Sequence, residues 1–134
     1  MKTLSNLPYV ALGAALGGML RYVLTVYVQG KAGPSFPLAT LLINISGSLL
    51  LGFLTAYIAE TRVVGPQIGL LLTTGVCGGY TTFSTFTYET FGLLRSGEYG
   101  RAGLYVTLSF VLALAGVVGG MAAARGAIHL QRGV

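Results

Sequence analysis

Four long apolar runs, joined by links too short to fold by themselves, leave this chain little choice of architecture. A membrane crossing takes about 20 mostly apolar residues, each adding about 1.5 Å of helix. Such runs occupy about residues 8–28, 38–58, 67–94 and 103–124, most of the 134-residue chain. Only 8% of the residues are charged, against about 25% in an ordinary soluble domain. The expectation is an all-α membrane protein, one transmembrane unit over 1–134 with four helices. Short links force neighbouring helices antiparallel, which puts both termini on one side. The first run is too long for the apolar part of a signal peptide and no cleavage pattern follows it, so it reads as a membrane helix.

Charge and residue inventory exclude several functions. The net charge of +5 comes from Lys and Arg scattered singly around the apolar runs, not gathered into the stripe that nucleic acid requires. One histidine, three acids and the single Cys77 supply neither a metal-ligand cluster nor a nucleophile with its base. No enzyme is expected, and no nucleic-acid partner.

Small residues recur four apart at Gly13 and Gly17, Ser48 and Gly52, and Gly116 and Gly120. In lipid such pairs let helix backbones approach closely. The basic residues balance across the membrane: Lys2, Arg62, Arg125 and Arg132 on the side of the termini, Lys31, Arg95 and Arg101 opposite, with Arg21 joining the second set by snorkelling. Orientation follows Lys/Arg imbalance between loops, and here there is none. Either orientation rests on a subtler signal, or the chain inserts both ways and pairs up with down. The second arrangement would build from two copies the inverted geometry that larger transporters carry in one chain.

The third run contains the most informative stretch, "GVCGGYTTFSTFTYET". Gly75, Gly78 and Gly79 followed by Thr81 and Thr82 invite the helix to break near its middle and restart with a Thr or Ser cap. A broken helix at membrane depth is tolerated where its freed groups face protein, an ion or water. Carbonyls near Gly78 and Thr81 thereby become candidate cation ligands, and the restarted helix a candidate anion site. A continuous helix whose hydroxyls bond back to carbonyls is the plainer reading. Seven hydroxyls in the ten residues from Thr81 to Thr90, Thr82 and Ser84 among them, argue against it.

Phe83 and Phe86 lie three apart on one helical face. Phenyl edges are positive and would favour an anion without trapping it. Asn44 sits within the second run, where its amide either donates to an anion or ties helices together. Tyr105 and Ser109, at i and i+4, place two O–H donors on one face of the fourth helix. Arg21 either snorkels or draws anions toward a vestibule. Glu89 either reaches the interface or accepts from nearby hydroxyls.

Together these residues resemble the Fluc (CrcB) fluoride ion channels of microbes. The likeness rests on "GGYTTFSTF", Asn44, Arg21, four spans and a length near 130 residues, and covers essentially the whole chain. It implies a passive fluoride channel in the cell membrane, built as an antiparallel dual-topology homodimer with two pores, that lets toxic cytoplasmic fluoride escape. It implies a structural Na⁺ at the dimer centre, held by backbone carbonyls of Gly78 and Thr81. Phe83 and Phe86 map onto the pore phenyls, Asn44 onto the pore amide, and Tyr105 and Ser109 onto a polar track. Some members carry a further hydroxyl where this chain has Ala113.

Two other readings compete. A small dual-topology proton-coupled multidrug transporter would need an acid in its first helix, where this chain has Arg21. A structural assembly subunit would leave the line of donors unexplained.

Overall fold

The computed structural model describes residues 2–133, with the side chains of Lys2 and Thr3 outside the description, so the topology charge assigned to Lys2 falls there. The regular elements of the described residues are all helical, in the order α1 (Lys2–Ala32), α2 (Leu38–Thr61), α3 (Pro66–Leu70), a π-helical stretch (Leu71–Cys77), α4 (Gly78–Tyr80), α5 (Phe83–Arg95) and α6 (Tyr99–Arg132). Three helices are long and apolar enough to cross a membrane: Leu4–Ala32, Leu38–Thr61 and Tyr99–Arg132.

The three long helices outrun the apolar runs because backbone hydrogen bonding continues into polar sequence until a stop signal intervenes. α1 stops at Gly33, whose φ of 76° is the left-handed conformation that closes many helices. The Gly33 N–H then reaches the Gln29 carbonyl at 3.0 Å. The Gln29 side chain fastens the turn that follows, donating to the carbonyls of Gly33 and Phe36 and accepting from the Ala39 N–H. α2 stops at Arg62, also left-handed at φ 52°.

Packing falls into two pairs. α2 lies along α6, and α1 lies along the stretch from α3 to α4. Glycines make both contacts close. A side chain on Gly13 or Gly17 would collide with the backbone of Leu71, Gly75, Val76 or Tyr80, and one on Gly120 with Leu49 and Phe53. Gly52 likewise meets Val117. The small-residue pairs therefore act as packing faces, as their spacing predicts.

The buried core is thin; its largest fully buried side chains are Tyr105, Ile43, Thr40 and Cys77, with Leu41, Tyr80 and Ile128 nearly so. Large apolar side chains face outward instead: Tyr22 and Phe110 are each 71% exposed. A surface of this kind suits lipid or another apolar protein face, not water. The chain is a multi-pass membrane protein.

The third run departs most from a simple helix. The glycines expected to break it stay helical, Gly78 holding φ −65° and ψ −38°. The chain leaves the helix at Thr81 (ψ 160°) and Thr82 (φ −152°, ψ 116°). Gly75 and Gly79 are needed for contact with α1, whereas two β-branched residues adopt extended backbone readily. The π-helical stretch before the break has no signature in the sequence.

Candidate functional site

Breaking a helix frees backbone groups that need partners. Thr82 is held by Asn44 through two hydrogen bonds: its N–H donates to Asn44 Oδ1 at 2.8 Å, and Asn44 Nδ2 donates to its carbonyl at 3.1 Å. Because the N–H can only donate, this pairing also fixes which way the amide points. Among the described residues, one amide hydrogen of Asn44 has no partner. Thr82 in turn caps α5, its Oγ1 accepting from the Thr85 N–H at 3.2 Å and lying 3.3 Å from Ser84 Oγ.

Upstream of the break, Arg21 of α1 donates from Nε to the Gly79 carbonyl at 3.2 Å. A cation at a helix C-terminus is favourably placed. Arg21 thus supports the first half of the broken element. The Cys77 carbonyl takes the Thr81 N–H and hydroxyl. The amide four residues beyond Gly78 belongs to Thr82 and is bonded to Asn44; that four beyond Thr81 belongs to Thr85 and is bonded to Thr82 Oγ1. Both carbonyls, Gly78 and Thr81, lack the donor a continuing helix would give them.

Beside the break lies a cleft of about 540 Å³, lined by Asn44, Thr82, Phe83, Phe86, Ser109 and Ala113 among others. Five predicted pore positions, and Thr81 of the predicted cation site, therefore meet in one place. The phenyl rings of Phe83 and Phe86 are 5.6 Å apart, and Phe86 lies 5.2 Å from the Tyr105 ring. Phe83 is 77% exposed.

The hydroxyls divide into two groups. Thr81, Thr87 and Thr90 bond back to carbonyls of their own helix, and Thr82 with Thr85 forms the cap. The plainer reading of the polar stretch holds for these three, although the helix is not continuous. Ser109 behaves differently. Its Oγ is buried, has no hydrogen-bond partner among the described residues, and belongs to the cleft wall. An unpartnered buried hydroxyl costs about 1–3 kcal/mol.

Tyr105 is fully buried and donates to Glu89 Oε2 at 2.7 Å, while Thr40 donates to Glu89 Oε1 at 2.9 Å. Glu89 accepts from nearby hydroxyls, one of its two predicted roles. The Tyr105 O–H is consequently engaged, and its contribution to the cleft is the ring behind Phe86. Thr40 was not singled out in the sequence, yet it sits four residues before Asn44, on the same face of α2. Ser84 is exposed and is not among the cleft-lining residues.

A helical membrane protein with a broken helix, its loose ends clamped by an amide and an arginine beside a phenyl-lined cleft, is suited to pass or bind a small polar species. Residues 8–121 match the family model described as CrcB-like protein, Camphor Resistance (CrcB), and the chain belongs to that family. It is 44% identical over 121 residues to the fluoride-specific ion channel FluC of Roseiflexus sp. (strain RS-1), covering 90% of this chain and 97% of the relative. The protein of the same name from Rhizobium meliloti (strain 1021) is 38% identical over 91% of this chain and 98% of its own. That from Aquifex aeolicus (strain VF5) is 49% identical over 66% of this chain and 72% of its own.

Proposed function

We propose that the protein is a fluoride channel of the cell membrane, releasing fluoride passively. The observation that carries this reading is the buried, unpartnered Ser109 hydroxyl in the same cleft as Phe83, Phe86 and the spare amide hydrogen of Asn44. These groups offer an anion O–H and N–H donors and aromatic edges with no fixed counter-charge to hold it. Fluoride, small and a strong hydrogen-bond acceptor, gains most from such a lining; larger chloride gains less in a narrow passage. An inside-negative potential favours anion exit by about 2.3 kcal/mol per 100 mV, so no coupled energy source is required.

The active form in this reading is an antiparallel, dual-topology homodimer with four spans per chain, the third being the broken element. Balanced basic residues support two-way insertion, and exposed Phe83 and the apolar outer faces supply the surface that a second copy would cover. The carbonyls of Gly78 and Thr81, freed at the break, are suited to a structural Na⁺ shared between copies. Bound there, the ion would neutralise carbonyl dipoles where two chains meet. A proton-coupled exporter finds no support, since α1 carries no acidic residue to take up a proton.

Efflux from liposomes tests the proposal. Purified protein should release trapped fluoride rapidly, regardless of a pH gradient, and retain chloride. Fluoride that stays inside would overturn it.

A further inference from the structure

The far end of the α2–α6 pair carries a feature that ion passage does not use. Arg125, His129 and Arg132 lie at i, i+4 and i+7, one face of α6, and line a cavity of about 260 Å³ with Glu60 of α2 and Ile128. Ile128 is 3% exposed and forms an apolar floor. The Tyr57 hydroxyl and the Gln131 side chain, 3.1–3.2 Å apart, tie the two helix ends together beside it.

The charges in this cavity are poorly matched. Glu60 is its only acid and meets Arg125 Nε at 3.8 Å, with the two side chains 41% and 65% exposed. A long, exposed pair of this kind holds weakly. Among the described residues, the side chains of His129 and Arg132 have no hydrogen-bond or ionic partner. Two guanidinium groups and an imidazole thus surround a space that one carboxylate does not fill.

Depth identifies the occupant. Residues 102–124 of α6 carry no charge, a run of about 35 Å at about 1.5 Å per residue, and residues 38–59 of α2 make a similar run of about 33 Å. Both match a hydrocarbon layer of about 30 Å. Glu60 and Arg125 are the first charged residues past that layer, and His129 and Arg132 follow at the level of lipid headgroups. Arginine at this depth donates in a planar fork that suits phosphate oxygens.

We propose that this cavity is a binding site for a phosphate-bearing anion, the headgroup of an anionic membrane lipid, held between Arg125 and Arg132 over Ile128. His129 contributes a ring N–H between the two arginines.

The site is tested by placing the purified full-length protein in nanodiscs of mixed phosphatidylglycerol and phosphatidylcholine and counting retained lipids by native mass spectrometry. The expected result is preferential retention of phosphatidylglycerol, falling by about tenfold or more in an Arg125→Gln/Arg132→Gln double variant, the scale set by two basic residues at an anionic surface. Arg125→Lys/Arg132→Lys should keep part of the preference. Arg95→Gln, at the opposite end of the bundle, should keep all of it. Both arginines of the site face outward, so variants that elute like the wild type report on binding. Equal retention of the two lipids, or an equal loss in Arg95→Gln, overturns the proposal. So does inorganic phosphate raising the melting temperature through Arg125 and Arg132 while no lipid preference exists, which would assign the site to soluble phosphate.

Discussion

The two halves of the broken element solve opposite problems. From Pro66 to Tyr80 the chain presses glycine against glycine on α1, and Gly75, Cys77 and Tyr80 are buried. From Phe83 to Arg95 no residue of α5 is fully buried, and Phe83 and Tyr88 are 77% and 79% exposed. The first half packs along α1 and fixes where the break lies. The second half is held by its cap, by Glu89 and by Phe86 against Tyr105, and turns the rest of its surface outward. A rigid half thus positions an open one, the division expected of a site that must be precise yet accessible.

The largest effect that would test this division is Gly17→Val. A side chain there meets the Val76 carbonyl and the Tyr80 N–H, and backbone cannot give way as a side chain can. Destabilisation beyond about 3 kcal/mol is expected, read as loss of the monodisperse peak and of the thermal transition. Gly92→Ala in α5, where nothing lies within 4 Å, should leave stability unchanged or raise it by up to about 1 kcal/mol. Reversed outcomes would invert the comparison.

Next in size, Phe83→Ile or Phe86→Ile should slow fluoride efflux at least about tenfold, or about 1.4 kcal/mol on the barrier, with unchanged elution. Full efflux in both would remove the phenyls from the path. Asn44→Ala strips both partners from the Thr82 backbone and should cost about 1–3 kcal/mol, lowering melting temperature and efflux together. A slowed efflux at unaltered melting temperature would mean that Asn44 serves the ion and not the break. The smallest effect belongs to Thr82→Ala, which removes the α5 cap for about 1 kcal/mol. Thr82→Ser should restore it, and a serine variant as unstable as the alanine one would rule out capping as the cause.

What could be read in advance follows from how local the cause is. Apolar runs announce the long helices, and small residues four apart announce their contacts. Thr-Thr after a glycine cluster announces a restart, and Thr82 does cap it. The position of the break was less legible, because the same glycines that weaken a helix also let it pack on α1, and packing prevails. The π-helical stretch has no local cause that we can name. Partnerships across helices were the hardest part. Asn44, Tyr105 and Ser109 all read as donors, yet Asn44 is largely occupied by Thr82 and Tyr105 by Glu89. The Ser109 hydroxyl has no partner among the described residues, which only the fold reveals.

The grip on Glu89 has a consequence for how the protein is made. Its two donors come from Thr40 on α2 and Tyr105 on α6, so one lies before it and the other after it in the chain. Synthesis runs from the N-terminus, and α5 therefore emerges with only one of the two Glu89 donors in existence. The carboxylate gains its second hydroxyl only when α6 arrives. α6, which follows α5 in the chain, is thus the later-made helix that seats the open half of the broken helix.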